Sequence, residues 1–264
     1  MAFVVTNRGT NDTGTGTAAT VSVGAFTPSA NSLLFLMGQS ETDDGSSINP
    51  TAAVPTATGL TFTAQGEVEG ASAIEDTGFE KIAGFYTAPV GGSPSSITVT
   101  WDGTTGAAAW YTAGCWDVTG HNTTTPVVQV ATPQAANPGG AANPAETVTL
   151  GSTPTVGNLV IAMFSASVVT GSTIAAPTIG GQAMTVIHNN SPNDYEQHGA
   201  WYRIITGDET TNVITCTSCG GSETYATFGF AIEIALAAGG SDPAWRRREF
   251  GARAPSDSVN ITYY

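Results

Sequence analysis

Residues 227–236 alternate large apolar side chains (Phe228, Phe230, Ile232, Ile234, Leu236) with small or charged ones (Gly229, Ala231, Glu233, Ala235). A period of two is the mark of a β-strand with one buried face, and it argues against a helix. The same stretch is written earlier in altered letters. Residues 107–120 align with 223–236, which places Trp116 on Ile232, Val118 on Ile234 and Asp117 on Glu233. An acidic residue thus stands at the same outward position in both stretches. On this register Ile232→Asp buries an unpaired charge and unfolds its strand, whereas Glu233→Lys is tolerated.

At the same constant offset, residues 97–101 fall on 213–217, and the aromatic pair Phe85-Tyr86 falls on Trp201-Tyr202. With small insertions, 59–63 matches 181–185, 33–37 matches 159–163, and 21–24 matches 148–151. Strand letters align and loop letters do not, as expected when insertions collect in surface connections. The chain therefore reads as a tandem duplication. Its 32 Gly and 14 Pro in 264 residues call for many turns, and no segment keeps helical spacing.

The expected fold is all-β: two tandem antiparallel β-sandwich domains of jelly-roll or Ig-like kind, each large enough for its own core. Residues 1–19 form an N-terminal arm or an added strand. The first sandwich spans 20–130, with a returning strand within 121–130. Residues 131–145, rich in Ala, Pro, Asn and Gly, have linker composition. The second sandwich spans 146–238, and 239–264 form a C-terminal tail.

Seven Lys and Arg against 21 Asp and Glu give a net charge of -14, which opposes contact with nucleic acid or anionic membrane. The N-terminus lacks a basic stretch followed by an apolar run, and no segment approaches the roughly 20 apolar residues of a spanning helix. A product made in the cytoplasm without a signal peptide is expected.

Residue patterns for catalysis are sparse. There is no Gly-x-Ser-x-Gly elbow and no phosphate loop, and His121, His188 and His198 are scattered. Glu67, Glu69, Glu75, Asp76, Asp194 and Glu196 would have to converge in pairs to serve a glycosidase, which spacing along the chain does not decide. A non-enzymatic protein without a cofactor is expected. Glu41, Asp43 and Asp44 begin an oxygen-rich loop that suits calcium but lacks the full EF-hand spacing, so a solvated acidic loop is the alternative.

Cys115 reads as a buried thiol, and Cys216 and Cys219 as a local disulfide or two free thiols. Tyr195 and His198, in the polar segment 189–198, are candidate glycan contacts; Trp110, Tyr111, Trp201 and Tyr202 are further aromatics for a sugar-binding face. In the tail, Trp245, Arg246, Arg247, Arg248, Phe250, Tyr263 and Tyr264 are residue types enriched at interface hot spots, so the tail is either a docking segment or a last edge strand.

Each unit opens with a Thr-Val or Val-Thr strand, then a Pro, then a small turn before an apolar run (20–37 and 147–163). Each continues with an aromatic pair, an alternating strand (97–101 and 213–217) and an Ala-rich closing strand, which in the first copy ends at Asp117-Val118-Thr119-Gly120 and Pro126. In these features each unit resembles a β-sandwich module of tailed-bacteriophage structural proteins. The second copy lacks the Thr-Gly and Pro ending. The resemblance implies a virion protein that decorates the capsid, with a tail or fibre component or a carbohydrate-binding adhesive module as alternatives. It further implies partners among other virion proteins, self-association on the particle, and a host glycan in the adhesive case.

Overall fold

The computed structural model describes residues 2–13, 20–41, 55–71, 80–101, 110–136, 141–168, 173–190, 196–221 and 224–237. Every regular element among them is a strand, and every pairing is antiparallel. In chain order these are β1 (Val4–Thr13), β2 (Val21–Phe26), β3 (Leu33–Glu41), β4 (Thr63–Ala71), β5 (Glu80–Pro89), β6 (Ile97–Trp101), β7 (Trp110–Thr119), β8 (Val127–Val130) and β9 (Gln134–Ala136). They continue as β10 (Glu146–Thr149), β11 (Leu159–Val168), β12 (Thr178–Ile179), β13 (Gln182–Ala183), β14 (Thr185–Asn190), β15 (Glu196–Ile204), β16 (Val213–Cys216) and β17 (Thr224–Ile234).

The strands form two large and two small sheets. One large sheet has the order β1-β7-β3-β5-β4, the other β14-β15-β11-β17-β8, with β9 also on β17. The small sheets are β2-β6 and β10-β16-β12-β13. Three apolar cores lie between four layers. Val21, Val23, Val99 and Trp101 of β2-β6 pack on Leu34, Leu36, Tyr86 and Cys115. Val148, Ile214 and Cys216 pack on Val160, Ala162, Phe164 and Trp201. Between them the two large sheets face each other: Phe35, Met37, Phe85, Trp116 and Val118 meet Ile161, Met163, Phe228, Phe230 and Ile232 in a single cluster.

That central core holds the largest contiguous set of buried aromatics. The rings of Phe35 and Trp116 stack at 5.6 Å, and those of Phe35 and Phe85 at 5.8 Å. Burying each such side chain is worth about 2 kcal/mol, so the two halves are held as one body by their broadest faces. An alternating strand needs one covered face; here the large sheets are covered on both, which is why β3 and β11 are nearly continuous apolar runs.

Of the two alternatives for the N-terminal segment, residues 4–13 are the added strand, paired with β7 in the first large sheet. Two details differ from the expectation drawn from sequence. The segment placed at the end of the first sandwich becomes β8 and joins β17 of the other large sheet, and β9 lies within the stretch of linker composition. The constant offset slips by one residue: Tyr86 pairs with Leu36 as Trp201 pairs with Ala162, and the inward residues of β6 are Ile97, Val99 and Trp101 while those of β16 are Ile214 and Cys216. A one-residue shift exchanges the two faces of a strand, so burial exposes the slip that letter matching concealed.

Candidate functional site

The two ends of the stack differ. At one end β7 and β17 finish side by side, with Ala237 N–H donating to the Gly120 carbonyl at 3.0 Å and His121 bridging to Leu236. The N-terminus meets them there: a Cβ at Gly120, whose φ is +82°, would lie 2.3 Å from the Ala2 carbonyl oxygen, so glycine is required. Ala237, the last described residue, therefore lies at this end.

Near this end two carboxylates are fully buried. Asp117 accepts from Arg8 Nε at 3.0 Å and Nη2 at 2.8 Å, and from the Ser29 backbone N–H at 2.6 Å. Glu233 accepts from Gln129 Nε2 at 2.5 Å, Asn158 Nδ2 at 2.7 Å and the Thr155 backbone N–H at 2.8 Å. These acids are not the outward, solvated residues that alternation suggested. They do point away from the central core, but loops carrying Ser29 and Thr155 cover that face. Arg8→Ala removes the cation facing Asp117 and is expected to lower stability by about 3 kcal/mol, the usual cost of stranding one buried charge. Urea unfolding measures it; an unchanged midpoint would mean that Ser29 alone suffices.

At the opposite end β1, β3, β4, β11 and β14 finish while β5, β7, β15 and β17 begin. In sequence, the segments between these strands carry Asp43, Asp44, Glu75, Asp76, Asp102 and Asp194, with Lys81 the one basic residue in or beside them. At this end the central core turns polar. Gln39, Thr112, Ser165, His188 and His198 are all buried, where the remainder of that core is apolar.

His188 Nε2 and His198 Nδ1 are 3.1 Å apart, one donating to the other according to tautomer. The His188 ring lies 5.5 Å from that of Trp116 on the facing sheet. Gly114 makes room for the pair: a Cβ there would stand 2.7 Å from His188 Cε1 and 2.8 Å from Nε2. His188 Nδ1 and His198 Nε2 have no partner among the described residues, nor have the side-chain amide of Gln39 and the hydroxyls of Thr112 and Ser165.

Burial pushes the His188 imidazole down to about 4, and pushes that of His198 well below the ordinary range, with His188 adding to the second shift. An unfolded imidazole takes up its proton near pH 6.5, while folded His188 stays neutral until about pH 4. The unfolded chain then binds more protons across that window. Stability is expected to fall as pH drops from about 6.5 to 4, by about 1.4 kcal/mol per pH unit for each such group. Urea midpoints at several pH values measure this slope, and a flat profile above pH 4 would contradict neutral buried imidazoles.

The candidate residues named from sequence fall as follows. His198 is 1% exposed, so it lies in the core and not on a glycan-facing surface; Trp201 is likewise buried and Tyr202 half-buried. Tyr195 lies outside the described residues, as do Asp43, Asp44 and the whole set Trp245, Arg246, Arg247, Arg248, Phe250, Tyr263 and Tyr264. Glu41 closes β3, its backbone opposite Lys81 and Trp110. Among the described residues no group of three His, Cys, Asp or Glu could hold a metal ion.

Glu67 accepts a hydrogen bond from Tyr86 Oη at 2.8 Å. Glu75, Asp76 and Asp194 lie outside the described residues. Cys216 and Cys219 form a disulfide, and Cys115 is a buried thiol that burial pushes well above its ordinary range. Spacing along the chain reveals neither the imidazole pair, whose members sit on neighbouring strands, nor Arg8, which is 109 residues from Asp117. The shared acid at 117 and 233 was the available signal.

Fold and site together define the class: an all-β protein of antiparallel sheets stacked in four layers, with buried charges used as internal locks. No family model, curated protein or solved structure matches the chain.

Proposed function

We propose that this chain is a non-enzymatic structural protein of a viral particle, built by tandem duplication and placed on the capsid surface. The observation that carries the reading is the separation of the two ends. Ala237, the last described residue before the Arg- and aromatic-rich segment 239–264, is hydrogen-bonded beside Gly120 at one end, while β3, β4, β11 and β14 finish and β5, β7, β15 and β17 begin at the other. Such a body can dock by one end and present the other.

Matching registers support the duplication. Leu33 faces Val118 as Leu159 faces Ile234, and irregularities fall between Ala64 and Gly66 as between Val186 and His188. Asn31 and Gly157 precede β3 and β11 with φ of 55° and 93°. Ser29 and Thr155 each give a backbone N–H to the buried acid of the closing strand. With β1 and β8 as counterparts, the repeat boundary falls near Gly120. A non-catalytic role is supported by the buried acids Asp117 and Glu233, which are closed into structural bonds.

Quantitative mass spectrometry of purified particles tests the placement. Copies approaching those of the lattice protein are expected. A handful per particle would move the chain to a tail or fibre, and absence from particles would refute the reading and favour a separate adhesive module, to be screened on a glycan panel.

A further inference from the structure

The polar layer at the loop end stands where an apolar one would serve. In the matching registers, Gly66 and Ala83 hold the places of His188 and His198, and Phe230 holds that of Gly114. There the contact is apolar: a Cβ at Gly66 would lie 3.2 Å from Phe230 Cδ1 and 2.8 Å from Pro133 Cγ. One side of the central core is thus closed by an aromatic ring over glycine, the other by two imidazoles over glycine. A buried polar group in a place that an apolar group can fill calls for a reason beyond packing.

We infer that the His188–His198 pair is an acid-operated latch between the two large sheets, closed while both imidazoles are neutral and opened when one is protonated. Among the described side chains, the groups on the faces turned toward the pair are neutral: Thr112, Gly114 and Trp116 on β7, Gln39 on β3 and Ser165 on β11. By register the nearest carboxylate-bearing positions are Asp12 on β1, opposite Thr112; Glu196 on β15, opposite Ser167; and Glu41 on β3, opposite Trp110. A proton taken up at His188 Nδ1 or His198 Nε2, both buried without a partner among the described residues, creates a charge with no compensation, whereas the outer cores of Val99 and Trp101, or of Val148 and Ile214, hold no such pair. The latch is a property of the folded chain and does not depend on where the protein is placed.

Backbone hydrogen exchange on the full chain between pH 7 and 4, corrected for the intrinsic pH dependence of exchange, tests the latch. Protection of β7 and β15 is expected to fall by about a hundredfold or more between about pH 6.5 and 4.5, a hundredfold being one proton's worth over two units, with β6 and β16 retained. Two variants locate the trigger. His198→Ala installs the residue found at the matching position, and His188→Asn keeps a hydrogen-bonding side chain without a titration; each should move the loss down by about one pH unit or more. Simultaneous loss in all four sheets would overturn the latch in favour of global acid unfolding. So would opening of both variants at the wild-type pH, or carbon-bound imidazole proton signals that titrate near pH 6.5 while protection is unchanged.

Discussion

Ile232→Asp and Glu233→Lys are both expected to unfold the second large sheet, although their side chains point to opposite faces of β17. Ile232 lies in the central core with Ile161 and Phe228, and an aspartate there has no partner among these apolar neighbours. Glu233 is equally buried, but within a set of donors: Gln129, Asn158 and the Thr155 N–H all point at its carboxylate. A lysine would leave three donors facing a cation, at a cost of about 4 kcal/mol or more. Glu233→Gln keeps one acceptor oxygen and should cost about 2 kcal/mol. Chemical unfolding of the three variants gives the ranking; a Glu233→Lys protein as stable as the parent would mean that the Thr155 loop does not cover the strand.

Gly38→Ala should be, with Gly120→Ala, among the most damaging single-methyl changes in the first half. A Cβ at this position would stand 2.4 Å from Trp101 Cδ2 and 2.6 Å from Cε2, and Trp101 is fully buried. An indole wedged between β6 and β3 cannot retreat as the end of a flexible side chain can, so the small sheet must lift off the large one. Overpacking of this kind costs about 3 kcal/mol. The double variant Gly38→Ala, Trp101→Leu should recover part of the loss, giving a coupling of about 1 kcal/mol or more in a double-mutant cycle. Strict additivity would show that the indole and Gly38 do not touch.

Much of the architecture was legible in the chain. Alternation located β7 and β17 and assigned their inward residues, because successive side chains of a strand point to opposite sides whatever surrounds it. The turn before β3 and β11 was visible in its Pro and in Asn31 or Gly157. The offset slip at β5 and β6 was not visible, since aromatic pairs of either phase look alike as letters while only one phase turns both Tyr86 and Trp201 to the outer cores. The candidate site was less legible still. His188 and His198 are ten residues apart in the chain, and nothing in that spacing foretells that Gly114 of a distant strand would leave them room.

Which residues are strands, which neighbours share a face, and where the chain is acidic were set by the sequence, since each depends only on side-chain identity and the local period of the backbone. What covers each face was decided by tertiary structure. Glu233 and Asp117 had to point away from the central core, but whether that direction leads to water or to a ring of donors depends on the loops carrying Thr155 and Ser29. Two sandwiches could likewise have stood apart; that they instead share the core of Phe35, Trp116, Phe228 and Phe230 follows from apolar area on both large sheets that only the other sheet is broad enough to bury.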